Sequence, residues 1–355
     1  MKEKKNIRSI RDIVASMLGR RKGGDVVRVS ARNAFVPRYV ERYSGIPIKD
    51  TMKRILLGEA VGDALGYTVQ FLEREKVQEN PVKEMSRGMW SDDTSLSLCL
   101  ADSLCGGYDL EDVAKRFIAW FQEGFWTPYG RAFDIGNTTR RSMAQLIRGI
   151  APAEAGMNNS RDNGNGSLMR IAPLIPFTYG LVEEQQNRLI EEVSSLTHRH
   201  PRAILACIFY CKVAFRYLDY RDWGKAFTQA QREVWQLLQE DRFCEETEHF
   251  GRLLKLSYEK FRGLEEEEIR SSGYVIDSLE ASLWCVFKHD NFKETVLRAV
   301  NLGGDADTIG AIAGALAGIV YGCEAMPKEW VNKLERVEDI VKLAERYDKF
   351  NSTNR

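Results

Sequence analysis

The 355-residue chain has no CxxC pair, no apolar run long enough for a bilayer and no net charge. Its seven cysteines (Cys99, Cys105, Cys207, Cys211, Cys244, Cys285 and Cys323) are scattered and odd in number. Most sit among apolar neighbours, where a free thiol behaves as a small hydrophobe. That spacing excludes a disulfide scaffold and points to a reducing, cytoplasmic compartment. The longest apolar, small-residue run, Ile309 to Tyr321, covers 13 residues, short of the roughly 20 that span a membrane. The N-terminus is basic but lacks the apolar stretch of about 7–15 residues that a secretory signal needs. Lys plus Arg and Asp plus Glu each number 51, so nothing global draws the chain to nucleic acid or to a membrane. No GxGxxG or GK[ST] loop is present, which excludes the Rossmann and Walker fingerprints. Alternating strand patterns and a fixed repeat period are also missing.

The charge balance hides an asymmetry. Residues 1–50 hold 13 Lys/Arg against 5 Asp/Glu, net +8, and the remainder 38 against 46, net −8. Residues 1–48 read as a basic N-terminal extension with one short amphipathic candidate, Ile7 to Leu18, and Pro47 marks its end. Residues 49–355 read as one large helical domain. Periodicity of 3.6 residues predicts helices over 50–71, 92–105, 109–123, 134–149, 167–179, 182–196, 201–217, 222–239, 244–262, 272–288, 290–301, 307–321 and 327–350. Gly, Asn and Asp clusters fill the joins at 87–93, 126–130, 158–166 and 303–307. The expected fold class is therefore all-α, a compact multi-helix bundle.

Three segments carry chemistry. In Trp90-Ser91-Asp92-Asp93-Thr94, hydroxyls and two adjacent carboxylates precede an apolar helix. A capped helix start explains one acid; two neighbouring carboxylates also suit a hard divalent cation. Gly303-Gly304-Asp305-Ala306-Asp307-Thr308 repeats that composition more than 200 residues on. Gly58, Gly62, Gly66 and Gly310, Gly314, Gly318 form stripes at i, i+4, i+8. Such stripes either fit bulky neighbours or let two helix backbones approach closely. The close approach would bring four aspartates together around one or two cations; a pair of metals about 3.5–4 Å apart can hold a substrate oxygen and a water. The third segment, Asn163-Gly164-Asn165-Gly166-Ser167-Leu168-Met169-Arg170, opens a helix with free N–H groups, as a plain turn or as a phosphate cradle. His198 and His200 before Pro201 read as helix entry or as contacts to phosphate or ribose. Trp126, Tyr129 and Phe133 read as core aromatics or as a stack for a base.

Six segments stand in one order: Gly58-Glu59-Ala60-Val61-Gly62-Asp63-Ala64-Leu65-Gly66, Ser91-Asp92-Asp93-Thr94, Phe133-Asp134-Ile135-Gly136-Asn137-Thr138, Gly164 to Arg170, Leu196-Thr197-His198, and Gly303 to Thr308. Together, over roughly residues 52–345, they resemble the ADP-ribosylglycohydrolases, the family of dinitrogenase-reductase-activating glycohydrolase. The resemblance implies a helical bundle around a central cleft. It implies two Mg²⁺ or Mn²⁺ ions held by Ser91, Asp92, Asp93, Asp305, Asp307 and Thr308; the family usually has Thr where Ser91 stands. Asp134, Ile135, Gly136, Asn165, Gly166, Ser167, Met169 and His198 would line an ADP-ribose site, with Asp134, Asp93 and Asp305 as the proton-transfer candidates. The implied activity is hydrolysis of ADP-ribose from modified protein, most directly from arginine. One departure matters: Gln70 stands where many members carry a glutamate beside the metals, so members that use it on serine-linked ADP-ribose are poor guides. Some members of the family look like immunity proteins against ADP-ribosyltransferase toxins, which offers a second expectation for this chain. The arginine-rich arm at 1–48 would then enter the toxin as a pseudo-substrate, with hydrolysis secondary or absent.

Overall fold

The computed structural model describes residues 50–353. The basic extension and its candidate helix at 7–18 lie outside the described residues, which form helices joined by loops, with four isolated β-bridges and no strand among them.

Eleven helices of ten or more residues build the described bundle. They are α1 (Thr51–Gly66), α2 (Asp92–Leu104), α3 (Leu110–Glu123), α4 (Asn137–Ile147), α5 (Glu183–Ser195), α6 (Pro201–Tyr220), α7 (Trp223–Leu237), α8 (Val275–Lys288), α9 (Phe292–Asn301), α10 (Ala306–Tyr321) and α11 (Val337–Thr353). None is long and apolar enough to cross a membrane. All seven cysteines are free.

Helices α1 and α10 are the axis of the core, and both are buried along nearly their whole length. A side chain on Gly62 would collide with the Gly310 carbonyl, and one on Gly58 with that of Gly314. The glycine stripes therefore serve backbone-to-backbone packing. Amphipathic helices α3, α7 and α9 cover the outside, each with one apolar face.

Several expected helices are shorter or broken. The 167–179 helix divides into a 3₁₀ turn, Leu168–Arg170, and the short Leu174–Thr178. Pro173 lacks an N–H and disfavours helical backbone at the preceding residue. The 244–262 segment becomes three short turns of helix, and Ser257 caps the last through the Lys260 amide. Helix α1 stops at Gly66, short of the expected 71, and Phe71 has a left-handed φ of 62°. Helix α4 begins at Asn137 because Asp134, at φ 57°, turns the chain before it. A short helix, Arg74–Glu79, had no counterpart among the expected ones.

Candidate active site

The starts of α2 and α10 open on one cleft of about 390 Å³. Asp92, Asp93, Asp305, Asp307 and Thr308 line it, together with Asp134, Ile135, Gly136, Asn165, Gly166, Met169 and His198. Two site residues from the sequence do not. Ser91 is fully buried, donates its hydroxyl to Asp93 Oδ2 at 2.9 Å and caps α2 through the Asp93 amide. In this structure it stands behind Asp93 instead of facing the cleft. Ser167 is also fully buried; it accepts from Ser194 Oγ at 2.9 Å and lies 3.5 Å from Cys207 Sγ. The 3₁₀ turn at 168–170 rotates its hydroxyl into the core, so its side chain is not a ligand contact here.

A residue that sequence reasoning did not assign holds the first acidic pair in place. Asp63, on α1 and fully buried, accepts from the Ser91 amide at 2.9 Å. It also accepts from the Thr94 amide at 3.1 Å and the Thr94 hydroxyl at 2.6 Å. One carboxylate thus satisfies donors that the start of α2 would leave open. A turn deeper, Glu59 accepts from Ser97 Oγ, and its Oε2 has no partner.

The second pair is held by loops. Gly303 and Gly304, at φ 69° and 65°, let the chain pass Leu72 and Ser271: Gly304 N donates to Leu72 O at 2.8 Å, and Asp305 N to Ser271 O at 2.8 Å. Asn165 Nδ2 donates to Asp305 Oδ2 at 2.6 Å and to Ser278 Oγ at 2.8 Å. A short bridge, Asn165 N to Gly273 O at 3.1 Å and Val275 N to Asn163 O at 3.0 Å, fixes the 163–166 loop against the start of α8.

The cleft is strongly acidic. Burial, then the neighbouring carboxylates, raise the pKa of Asp92, Asp93 and Asp307 well above the usual range. Burial also raises Asp305, and it pushes Asp63 up to about 6 against the hydrogen bonds it receives. Asp93 Oδ1 and Asp134 Oδ2 are buried without a hydrogen-bond partner. Among the described residues, no three Asp, Glu, His or Cys side chains converge tightly enough to form a ready metal cage. Asp305 accepts instead from Asn165 Nδ2 at 2.6 Å, Asp93 from the Ser91 hydroxyl at 2.9 Å, and Asp307 from the Thr308 amide at 2.9 Å. The donor set still suits a hard cation: all its atoms are oxygens, the carboxylates repel one another, and two orphaned oxygens lack the positive partner that burial demands.

His198 lines the cleft as a neutral imidazole, its pKa lowered to about 3 by burial and by the Arg170 and Arg141 guanidiniums. His200 instead caps α6, accepting from the Arg202 amide at 3.3 Å. Of the three aromatics, Trp126 is buried and donates to Asp102, Phe133 packs edge-on against Tyr67, and Tyr129 is exposed. None of the three lines the cleft. Gln70, Phe71, Thr139 and Gly273 do. The signal for Gly273 was a glycine in Ser272-Gly273-Tyr274, over which the Asp305 carboxylate packs at 3.1 Å from where a Cβ would stand.

A profile of the ADP-ribosylglycohydrolase family matches residues 45–354. This chain belongs to the ADP-ribosylglycohydrolase family. It is 34% identical over 304 residues to the ADP-ribosylarginine hydrolase Tri1 of Pseudomonas putida (strain GB-1), covering 83% of this chain and 77% of that one. It is 30% identical over 307 residues to the ADP-ribosyl-[dinitrogen reductase] glycohydrolase of Rhodospirillum rubrum, covering 82% and 92%. A solved ADP-ribosylglycohydrolase-related protein complex superposes with a TM-score of 0.67 at 30% identity, over 86% of this chain and 99% of that one.

Proposed function

We propose that this family member hydrolyses the N-glycosidic bond between ADP-ribose and an arginine side chain of a modified protein. The single observation that carries this reading is the convergence of the 92–93 and 305–308 oxygens on one cleft with Asp134 and His198. Two relatives named for arginine, at 34% identity each, favour the linkage.

Asp92, Asp93, Asp305, Asp307 and Thr308 would hold two divalent cations, Mg²⁺ or Mn²⁺, with Ser91 reaching them through Asp93. When bound, such ions supply positive charge beside the ribose hydroxyls and lower the pKa of a water. In the reaction, water oxygen bonds to the anomeric carbon, the carbon–nitrogen bond breaks, and the guanidine leaves with a proton. Asp134, whose Oδ2 is buried with no partner, is positioned to take or give that proton, with Asp93 and Asp305 as further candidates. His198, uncharged, offers a hydrogen bond rather than a charge to the substrate. The 163–166 loop presents Asn165 and Gly166 to the ligand between its bridge to α8 and the ring of His198.

The test is release of ADP-ribose from arginine-modified protein, in Mg²⁺ and after chelation. Release in Mg²⁺ and its loss in chelator support the reading; no release in either refutes it.

A second reading is favoured by the net +8 of residues 1–50 against −8 elsewhere. In it, the basic arm at 1–48 docks an ADP-ribosyltransferase toxin and blocks it. Deleting residues 1–45 separates the two: toxin binding falls while hydrolysis persists. Loss of hydrolysis on deletion contradicts this second reading.

A further inference from the structure

Behind the 164–166 loop, three polar side chains run from the core to the cleft. Arg170 is completely buried, with its guanidinium 4.7 Å from the centre of the Phe117 ring. Its Nη1 donates to Val193 O at 3.3 Å, and its Nη2 to Thr197 Oγ1 at 2.6 Å. Thr197 Oγ1, also fully buried, lies 2.8 Å from His198 Nδ1. A hydroxyl has one proton to give. Thr197 already accepts from Arg170, so giving its own proton to Nδ1, with the imidazole proton on Nε2, is the arrangement that leaves no buried hydrogen without an acceptor. The opposite tautomer would bury the hydroxyl proton without an acceptor, which is costly in a dry site.

The far edge of the ring faces the ligand loop. A Cβ on Gly166 would stand 2.7 Å from His198 Cε1 and 3.3 Å from Nε2, so glycine is what leaves that edge open. Nε2 has no hydrogen-bond partner among the described residues, and the ring lines the cleft.

We propose that Arg170 and Thr197 are positioning residues that lock His198 as a neutral imidazole protonated on Nε2, a fixed hydrogen-bond donor to an oxygen of the ligand. The charged groups around the ring agree with this. Arg170 and Arg141 both oppose an imidazolium, Arg141 being paired to Asp162, and Gly164, Gly166 and Thr139 are uncharged. A donor of this kind serves a ribose hydroxyl or a phosphate oxygen equally and does not switch with pH across the physiological range. Only the identity of that oxygen rests on the ADP-ribose reading of the cleft.

The test pairs ¹⁵N NMR of the histidine side chains with titration of ADP-ribose, at fixed Mg²⁺, into the full chain between pH 5.5 and 8. Thr197→Val removes the hydroxyl at nearly constant volume, and Thr197→Ser restores it; Arg170 is left intact because so large a buried side chain cannot be removed without disturbing the core. In the wild type and in Thr197→Ser, His198 should show a protonated Nε2, an unprotonated Nδ1 and no titration. In Thr197→Val, the Nδ1–H form should appear and ADP-ribose affinity should fall about fivefold, the worth of one hydrogen bond. A wild-type Nδ1–H tautomer, or a Thr197→Val protein with unchanged tautomer and affinity, overturns the relay. The tautomer is read without ligand, so a protein that shows it yet binds no ADP-ribose supports the relay and refutes the cleft assignment.

Discussion

Gly62 on α1 and Gly310 on α10 meet backbone to backbone, so closely that a side chain on either would overlap the other's carbonyl. Because α2 hangs from α1 through Asp63, and Asp305 and Asp307 begin α10, this contact sets the spacing of the two acidic pairs. Gly62→Ala should therefore lower stability by at least about 2 kcal/mol, since neither backbone can move aside. Gly251→Ala, where the nearest atom is the end of Lys255 at 3.9 Å, should be close to neutral. Urea denaturation of both variants checks this, and equal midpoints would show that the glycine stripe is incidental.

Asp63 should matter to the cleft without lining it. Asp63→Asn turns an amide N–H toward the donors of Ser91 and Thr94, leaving some of them unpaired at about 1–3 kcal/mol. The same change relieves repulsion among the acids, but that gain is spread over several partners and should be the smaller effect. Urea unfolding should show a net loss of stability, and calorimetric titration a weaker uptake of Mg²⁺. A variant with unchanged stability and unchanged uptake would remove Asp63 from the account.

Much of this was legible in the sequence, in ways that differ from residue to residue. Asp92, Asp93, Asp305 and Asp307 stood out because two acids within three residues exceed what a helix cap needs, and both pairs opened apolar helices. Asp63 did not, because within a glycine-striped helix it looked like one more polar residue. Its signal was an acid on a helix with no exposed face, where a carboxylate must find donors. The placement of Ser167 was not legible: Gly-Ser at a helix start suggests free N–H groups, but the helix is cut to a 3₁₀ turn before Pro173 and the Ser167 side chain is buried. The expected helix over 50–71 could not run to its end because Phe71 is left-handed, a conformation that an aromatic side chain does not announce.

Glu280 gives the fold a pH signature. Burial raises its carboxyl from the ordinary 4.5 to about 7, outweighing Arg252 at 3.5 Å. Between those values Glu280 keeps in the folded chain a proton that it has lost in the unfolded one, so its own contribution to stability falls as pH rises from about 4.5 to 7 and levels above. Glu280→Gln removes that slope. Its stability relative to wild type should climb across the window, by about 1–3 kcal/mol at pH 8. Denaturation series at pH 5, 6.5 and 8 measure it, and a constant difference would show that Glu280 ionises normally.

Gln70 bears on linkage. Its Oε1 is buried at the cleft without a partner, and as an amide it can neither take a proton nor add charge. The wild type should release ADP-ribose from arginine-modified protein but not from serine-modified protein, and Gln70→Glu should gain measurable release from serine. Chromatography of released ADP-ribose from both substrates decides this. Comparable wild-type rates on the two would leave Gln70 without a role in selectivity.

The most direct measurement compares wild type and Asp305→Ala in release of ADP-ribose from arginine-modified protein at ordinary Mg²⁺. Asp305 joins the second acidic pair to the ligand loop through Asn165. Removing its carboxylate should cut the rate by more than about a hundredfold. The variant should stay folded, because one fewer buried acid eases repulsion in the apo protein. Wild-type release with a folded, inactive Asp305→Ala protein is the predicted result. Asp305→Ala protein that releases ADP-ribose at the wild-type rate would contradict the account at its centre.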